Sequence, residues 1–140
     1  MGTYEFLPHT ADEKFKIIAN SLEDAFETSV KAFYEILIGK DEIKNIFTKK
    51  ISLKAKTLRS LLYDFLNELV FVFDDEDLLL ANVKSLKILE QNGKFELEAE
   101  LSGDKISNYE LITSIKNMTY SEMEIKINSE QVELIVVVDI

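Results

Sequence analysis

The amino-acid sequence predicts one α+β domain in which a mostly antiparallel or mixed sheet is packed by two helices. Three observations predict it. Segments alternating apolar and polar residues recur along the chain, two longer segments repeat their apolar residues at helical spacing behind a capping residue, and no linker-like stretch separates them. With 140 residues, 46% of them hydrophobic, the chain carries enough apolar material for one core. Four Gly and one Pro are its only strong punctuation, and no repeat or low-complexity tract divides residues 1–140.

Tyr4 to Leu7 reads as a strand, because Pro8 disfavours helical geometry at Leu7. Lys14 to Ala19 reads as a second, with Phe15, Ile17 and Ala19 on one face. Ser21 is an N-cap, with Asp24 three residues on as the acid of a capping box. Leu22, Ala25, Phe26, Ser29, Val30, Phe33 and Leu37 then form a single helical stripe, and Gly39 supplies a left-handed stop. Ile51, Leu53 and Ala55 alternate with Lys50, Ser52 and Lys54 as a half-buried strand.

Thr57 caps the second helix, which is predicted to run to about Phe73. Its stripe holds Leu58, Leu61, Leu62, Phe65, Leu66, Leu69, Val72 and Phe73, and Val70 with Phe71 widens it, so this helix should lie against a sheet. Asp74 to Asp77 reads as an exposed turn, since acids are unfavourable at a helix C-terminus.

Val83 to Leu89 and Phe95 to Leu101 flank Asn92-Gly93, a dipeptide suited to a type I′ hairpin. Phe95, Leu97, Ala99 and Leu101 should face inward, leaving Glu96, Glu98 and Glu100 to make a strongly acidic solvent face. A second hairpin pairs Met123 to Ile127 with Val132 to Val138 across Asn128-Ser129-Glu130. Its last strand carries the continuous apolar run of Ile135 to Val138, which points to a central position in the sheet.

Composition narrows the chemistry. The chain has no Cys and a single His, so any metal must sit on oxygen. A formal net charge of -10 repels a polyphosphate backbone, and tight direct nucleic-acid binding is not expected. No basic leader and no run of 18 or more apolar residues is present, so a cytoplasmic protein without membrane contact is expected. There is no P-loop and no glycine-rich phosphate cradle.

The last two residues are the most informative. A buried apolar strand delivers the Asp139 carboxylate and the Ile140 α-carboxylate to one point, where like charges raise each other's pKa or recruit a cation. Hard oxygen donors favour calcium or magnesium. Alone, the pair reads more readily as a strand end facing water. Asp12, in the loop Pro8-His9-Thr10-Ala11-Asp12, is the candidate third ligand, although a lone loop Asp more commonly accepts a hydrogen bond within its own turn. His9 reads as a hydrogen-bonding loop residue rather than a ligand. Asp64 and Glu68, four apart on the second helix, could share an ion but fit a solvated helix edge better.

Five blocks resemble the archease family in order and spacing: YEFLPHTAD, SLEDAFETSVKAF, LLYDFLNELVFVFD, IKNMTYSEMEI and the terminal VVVDI. The resemblance covers essentially the whole chain. It implies a divalent ion, calcium first with magnesium or manganese as alternatives, on Asp12, Asp139 and the Ile140 carboxylate. It also implies a functional lysine at Lys116, which without the resemblance reads as a solvated surface residue.

For function, the resemblance implies a non-enzymatic partner of the GTP-dependent tRNA-splicing RNA ligase that promotes ligase guanylylation and multiple turnover. The alternative is a specificity factor or chaperone for a tRNA-modifying methyltransferase, and a metal-dependent hydrolase ranks below both. Two departures stand out: Tyr109-Glu110-Leu111 where the family often has His-Glu-Leu, and Ser121 where it often has His. Any role of those imidazoles is absent from this chain, while the three acids and Lys116 are kept.

Overall fold

The computed structural model describes residues 2–9 and 11–140, so Thr10 of the HTAD loop lies outside the described residues. The elements run β1 (Thr3–Leu7), β2 (Glu13–Ala19), α1 (Leu22–Ile38), β3 (Phe47–Ala55), α2 (Leu58–Glu76), β4 (Leu78–Gln91), β5 (Lys94–Lys105), β6 (Asn117–Ile127) and β7 (Val132–Asp139), with a 3₁₀ turn at Ile106–Asn108. The α+β class and the two helices are as the sequence predicts. The strands are antiparallel throughout and divide between two sheets, one ordered β1-β2-β7-β6 and the other β3-β5-β4.

Local chemistry sets the helix limits. Ser21 Oγ accepts from the Asp24 N–H at 3.1 Å, and Gly39, at φ 72°, donates its N–H to Glu35. Thr57 Oγ1 accepts from the Ser60 N–H at 3.0 Å. The second helix continues past Phe73 to Glu76 and stops on Asp77 in the left-handed conformation. The acidic run is therefore exposed, as expected, but its first three members are helical; Glu76 pairs with Lys49 of β3, which offsets one unfavourable charge.

Burial of α1 exceeds the single stripe expected of it. Thr28, Ala32, Tyr34, Ile36 and Ile38 are buried as well, because α1 contacts β1, β2 and β7 of one sheet and β4 of the other. The second helix contacts β6 of the first sheet and all three strands of the second. Each helix thus joins both sheets, and Phe26 of α1 meets Phe65 of α2 with ring centroids 5.9 Å apart. Phe71, expected to widen the apolar stripe, is instead 48% exposed.

The Asn92-Gly93 turn has positive φ at both residues, as a type I′ hairpin requires, but β4 starts five residues earlier than its alternation suggests. Register shifts between Leu79 and Asn82 and between Val83 and Ser85 break the period-two pattern that marks a strand in sequence. Gly103 of β5 lies against this bulge: a Cβ there would stand 1.6 Å from the Leu79 carbonyl oxygen.

The acidic face expected from Glu96, Glu98 and Glu100 does not stand alone. Lys54 pairs with Glu96, Lys50 with Glu100, and Ser52 and Lys87 flank Glu98, so lysines from both neighbouring strands interleave the acids.

Candidate functional site

β7 occupies an interior position in its sheet, with β2 on one side and β6 on the other. Leu134, Val136 and Val138 point into the core and are fully buried, which holds the strand to its end. The final β2–β7 pair is Glu13 with Val138. The next residues along these antiparallel strands are Asp12 and Asp139. On the other side Asn117 pairs with Asp139, and the Lys116 N–H donates to the Asp139 carbonyl at 2.9 Å.

Asp12, Asp139 and Ile140, nominated by their places in the sequence, and Lys116, nominated by the family resemblance alone, therefore come to one end of the β2–β7–β6 ribbon. Asp12, Asp139 and Ile140 are half-buried, and Lys116 is exposed. The Ile140 side chain packs on the core, tethering the end of the chain beside Asp139. Among the described residues no three His, Asp or Glu side chains gather into a ligating group, and Asp64 and Glu68 on α2 acquire no third partner of that kind. Asp12 and Asp139 bring two carboxylate side chains to the end of β7.

Beside it lies a polar network in which the hydrogen-bonding role of His9 is as the sequence suggests, while Glu122 and Lys14 were not singled out. His9 Nε2 is 2.7 Å from Glu122 Oε2, and Lys14 Nζ donates to Glu122 Oε1 at 3.0 Å. His9 Nδ1 is 3.8 Å from Asp12 Oδ2, beyond hydrogen-bond reach. Glu122 thus takes the close contact of both basic side chains. The His9 hydrogen bond first, and then Lys14, hold its carboxyl below the usual range.

Glu122 can reach them because β6 is interrupted. Thr119 pairs with Val137 and Glu124 with Ile135, so residues 120–123 stand opposite Val136 alone. Glu122 adopts φ 58°, and Ser121 donates its N–H to Thr119 Oγ1 at 3.0 Å. Arg59, the chain's single arginine, donates to the carbonyls of Tyr120 at 2.7 Å and Met123 at 3.2 Å. Its guanidinium lies 5.0 Å from the Tyr120 ring centroid, and that ring stacks on Tyr63 at 4.1 Å. No periodicity announces such a bulge.

The Tyr109 departure acquires a structural role. Its hydroxyl donates to Asp104 Oδ2 at 3.0 Å and accepts from the Lys44 N–H at 2.8 Å, joining the segment after β5 to the loop before β3. Two cavities of about 570 and 560 Å³, one beside the end of α1 and one beside Asp104, are lined by neither Asp12, Lys116, Asp139 nor Ile140. No described helix is long and apolar enough to cross a membrane.

The model of the Archease protein family (MTH1598/TM1083) matches residues 4–140. Protein archease of Methanosarcina barkeri is 33% identical over 139 residues, spanning 98% of this chain and 95% of that one. The solution structure of Methanobacterium thermoautotrophicum protein 1598 aligns with a TM-score of 0.85 at 28% identity, covering 98% of each chain. The crystal structure of an archease from Thermotoga maritima, described as a possible chaperone, shares the fold with a TM-score of 0.62 at 18% identity over 96% of this chain and 94% of that one. From the strand that opens the HTAD loop to the terminal Asp-Ile, this chain belongs to the archease family.

Proposed function

We propose that this protein is a non-enzymatic activator of the GTP-dependent tRNA-splicing RNA ligase, promoting ligase guanylylation and repeated turnover, and that it works through a divalent cation held at the end of β7. The observation that carries the reading is the register: Asp12 and Asp139 follow the last β2–β7 pair, with Lys116 bonded to Asp139 from the other side. Family membership supports the partner.

The donor chemistry fits a hard cation. Asp12, Asp139 and the Ile140 α-carboxylate offer only oxygen, His9 is occupied by Glu122, and the chain has no Cys. Calcium is the first candidate, with magnesium or manganese next. A bound ion would supply positive charge between carboxylates that otherwise repel one another. The protein's own residues then do the rest: β7, anchored in the core, fixes the carboxylates, and exposed Lys116 offers a cation to an anionic group of the partner.

A surface site suits a protein partner better than an enclosed small substrate, which would favour a deep concave pocket. A net charge of -10 disfavours RNA and favours the basic surface an RNA ligase must carry. The test is multiple-turnover ligation by the cognate ligase with wild-type protein, Asp12→Ala, Asp139→Ala and Lys116→Ala. Stimulation by wild type and its loss in the folded variants is the expected result; equal stimulation by all four overturns the reading. The possible-chaperone description of the Thermotoga protein favours a second reading, a specificity factor or chaperone for a tRNA-modifying methyltransferase. Association with the methyltransferase and no effect on ligation would select it.

A further inference from the structure

Lys14 and His9 are the basic residues that flank Asp12 in sequence. Lys14 lies two residues beyond Asp12, which sits in the bend leading into β2, and His9 Nδ1 stands 3.8 Å from Asp12 Oδ2. The Lys14 ammonium could neutralise Asp12 internally, and His9 could hold it by a hydrogen bond. Neither makes its close contact there: Glu122 takes Lys14 at 3.0 Å and His9 at 2.7 Å.

To do so Glu122 reaches from β6 across β7 to β2 and the loop before it. Val137, paired with Lys14 on one side and Thr119 on the other, is 1% exposed although the core-facing residues of β7 are its neighbours Val136 and Val138. Its burial on the outer face fits a cover formed by this bridge. The bridge is also built: four residues stand opposite one, Glu122 holds a left-handed backbone, and Arg59 clamps the carbonyls of Tyr120 and Met123 on both sides of it. An ordinary exposed ion pair needs none of this, and contributes little to stability.

We propose that Glu122 is a positioning residue for the cation site: fixed by His9 on one oxygen, it holds the Lys14 ammonium on the other, away from the Asp12 and Asp139 carboxylates, and leaves these available to an external cation. The inference rests on the metal reading above. It assigns the β6 bulge and Arg59 to the same task, since they set where the Glu122 carboxylate stands.

The experiment is calorimetric titration of calcium chloride into wild type, Glu122→Gln, Glu122→Gln with Lys14→Met, and Asp12→Asn, with melting in EDTA to show that each is folded. Glu122→Gln should bind calcium about tenfold more weakly, the effect of one opposite charge turned onto a carboxylate. Lys14→Met in that background should recover most of the loss, which a merely structural role of Glu122 would not produce. Binding by Glu122→Gln equal to wild type while Asp12→Asn fails to bind, or a loss that Lys14→Met does not recover, overturns this inference alone. Absence of saturable binding by wild type overturns the metal reading and this inference with it.

Discussion

The Lys116 N–H donates to the Asp139 carbonyl at 2.9 Å, tying the segment that enters β6 to the last residues of β7. Because the same Asp139 follows the Glu13–Val138 pair on its other side, three separate stretches of chain share one strand end. If calcium binds there, it stabilises the folded protein by mass action. Calcium at about 100 times its dissociation constant should add about 2.7 kcal/mol, an increment that Asp12→Asn and Asp139→Asn lose. A peptide appended after Ile140, which turns its α-carboxylate into an amide, should lose it too. Urea unfolding with calcium and with EDTA measures the difference.

Asp104, near the end of β5, should govern acid stability. Burial pushes its carboxyl up, but donors outweigh burial: the Lys105 N–H, the Tyr109 hydroxyl and the Asn108 amide, with the Lys44 charge, hold it below the ordinary value. A lowered folded pKa contributes stability that is complete above the unfolded value, about 3.9, and lost as pH falls through the folded one. Urea midpoints compared at about pH 6 and about pH 3 should therefore fall less in Asp104→Asn than in wild type.

Tyr109→Phe removes the donor to Asp104 and leaves the Lys44 N–H without its acceptor. The expected cost is about 1–3 kcal/mol, with the Asp104 carboxyl moved back toward its ordinary value. Equilibrium unfolding and carboxyl titration by NMR read the two effects separately.

Arg59→Met should loosen the β6 bulge by releasing the Tyr120 and Met123 carbonyls and the Tyr120 ring. A loss of about 1–2 kcal/mol is expected, with faster amide exchange at residues 120–123. Arg59→Lys should not restore protection, because a point ammonium cannot fork between two carbonyls as a guanidinium does.

Gly103→Ala places a Cβ where the Leu79 carbonyl oxygen stands, 1.6 Å away. Backbone must move on β4 or β5, and a cost of about 1–3 kcal/mol is expected by urea unfolding. Gly93→Ala is the contrast: it meets nothing within 4 Å, so its cost is the positive φ of 75° alone.

What the sequence determined by itself are features with a local cause. Caps at Ser21 and Thr57, the stop at Gly39, the turn at Asn92-Gly93 and the interior place of β7 each follow from a few neighbouring residues. The candidate acids were legible for the same reason: a buried apolar run carries Asp139 and Ile140 to its end, and HTAD is a short loop between two strands. Tertiary structure alone decided the rest. The two-sheet division, the second buried side of α1 and the early start of β4 depend on which distant surfaces meet, and bulges erase the alternation that would reveal them. Glu122, Lys14 and His9 came together for that reason too. Residues 120–123 leave the period of β6, so Glu122 faces where no alternation would aim it, and its partners are 108 and 113 positions away in the chain.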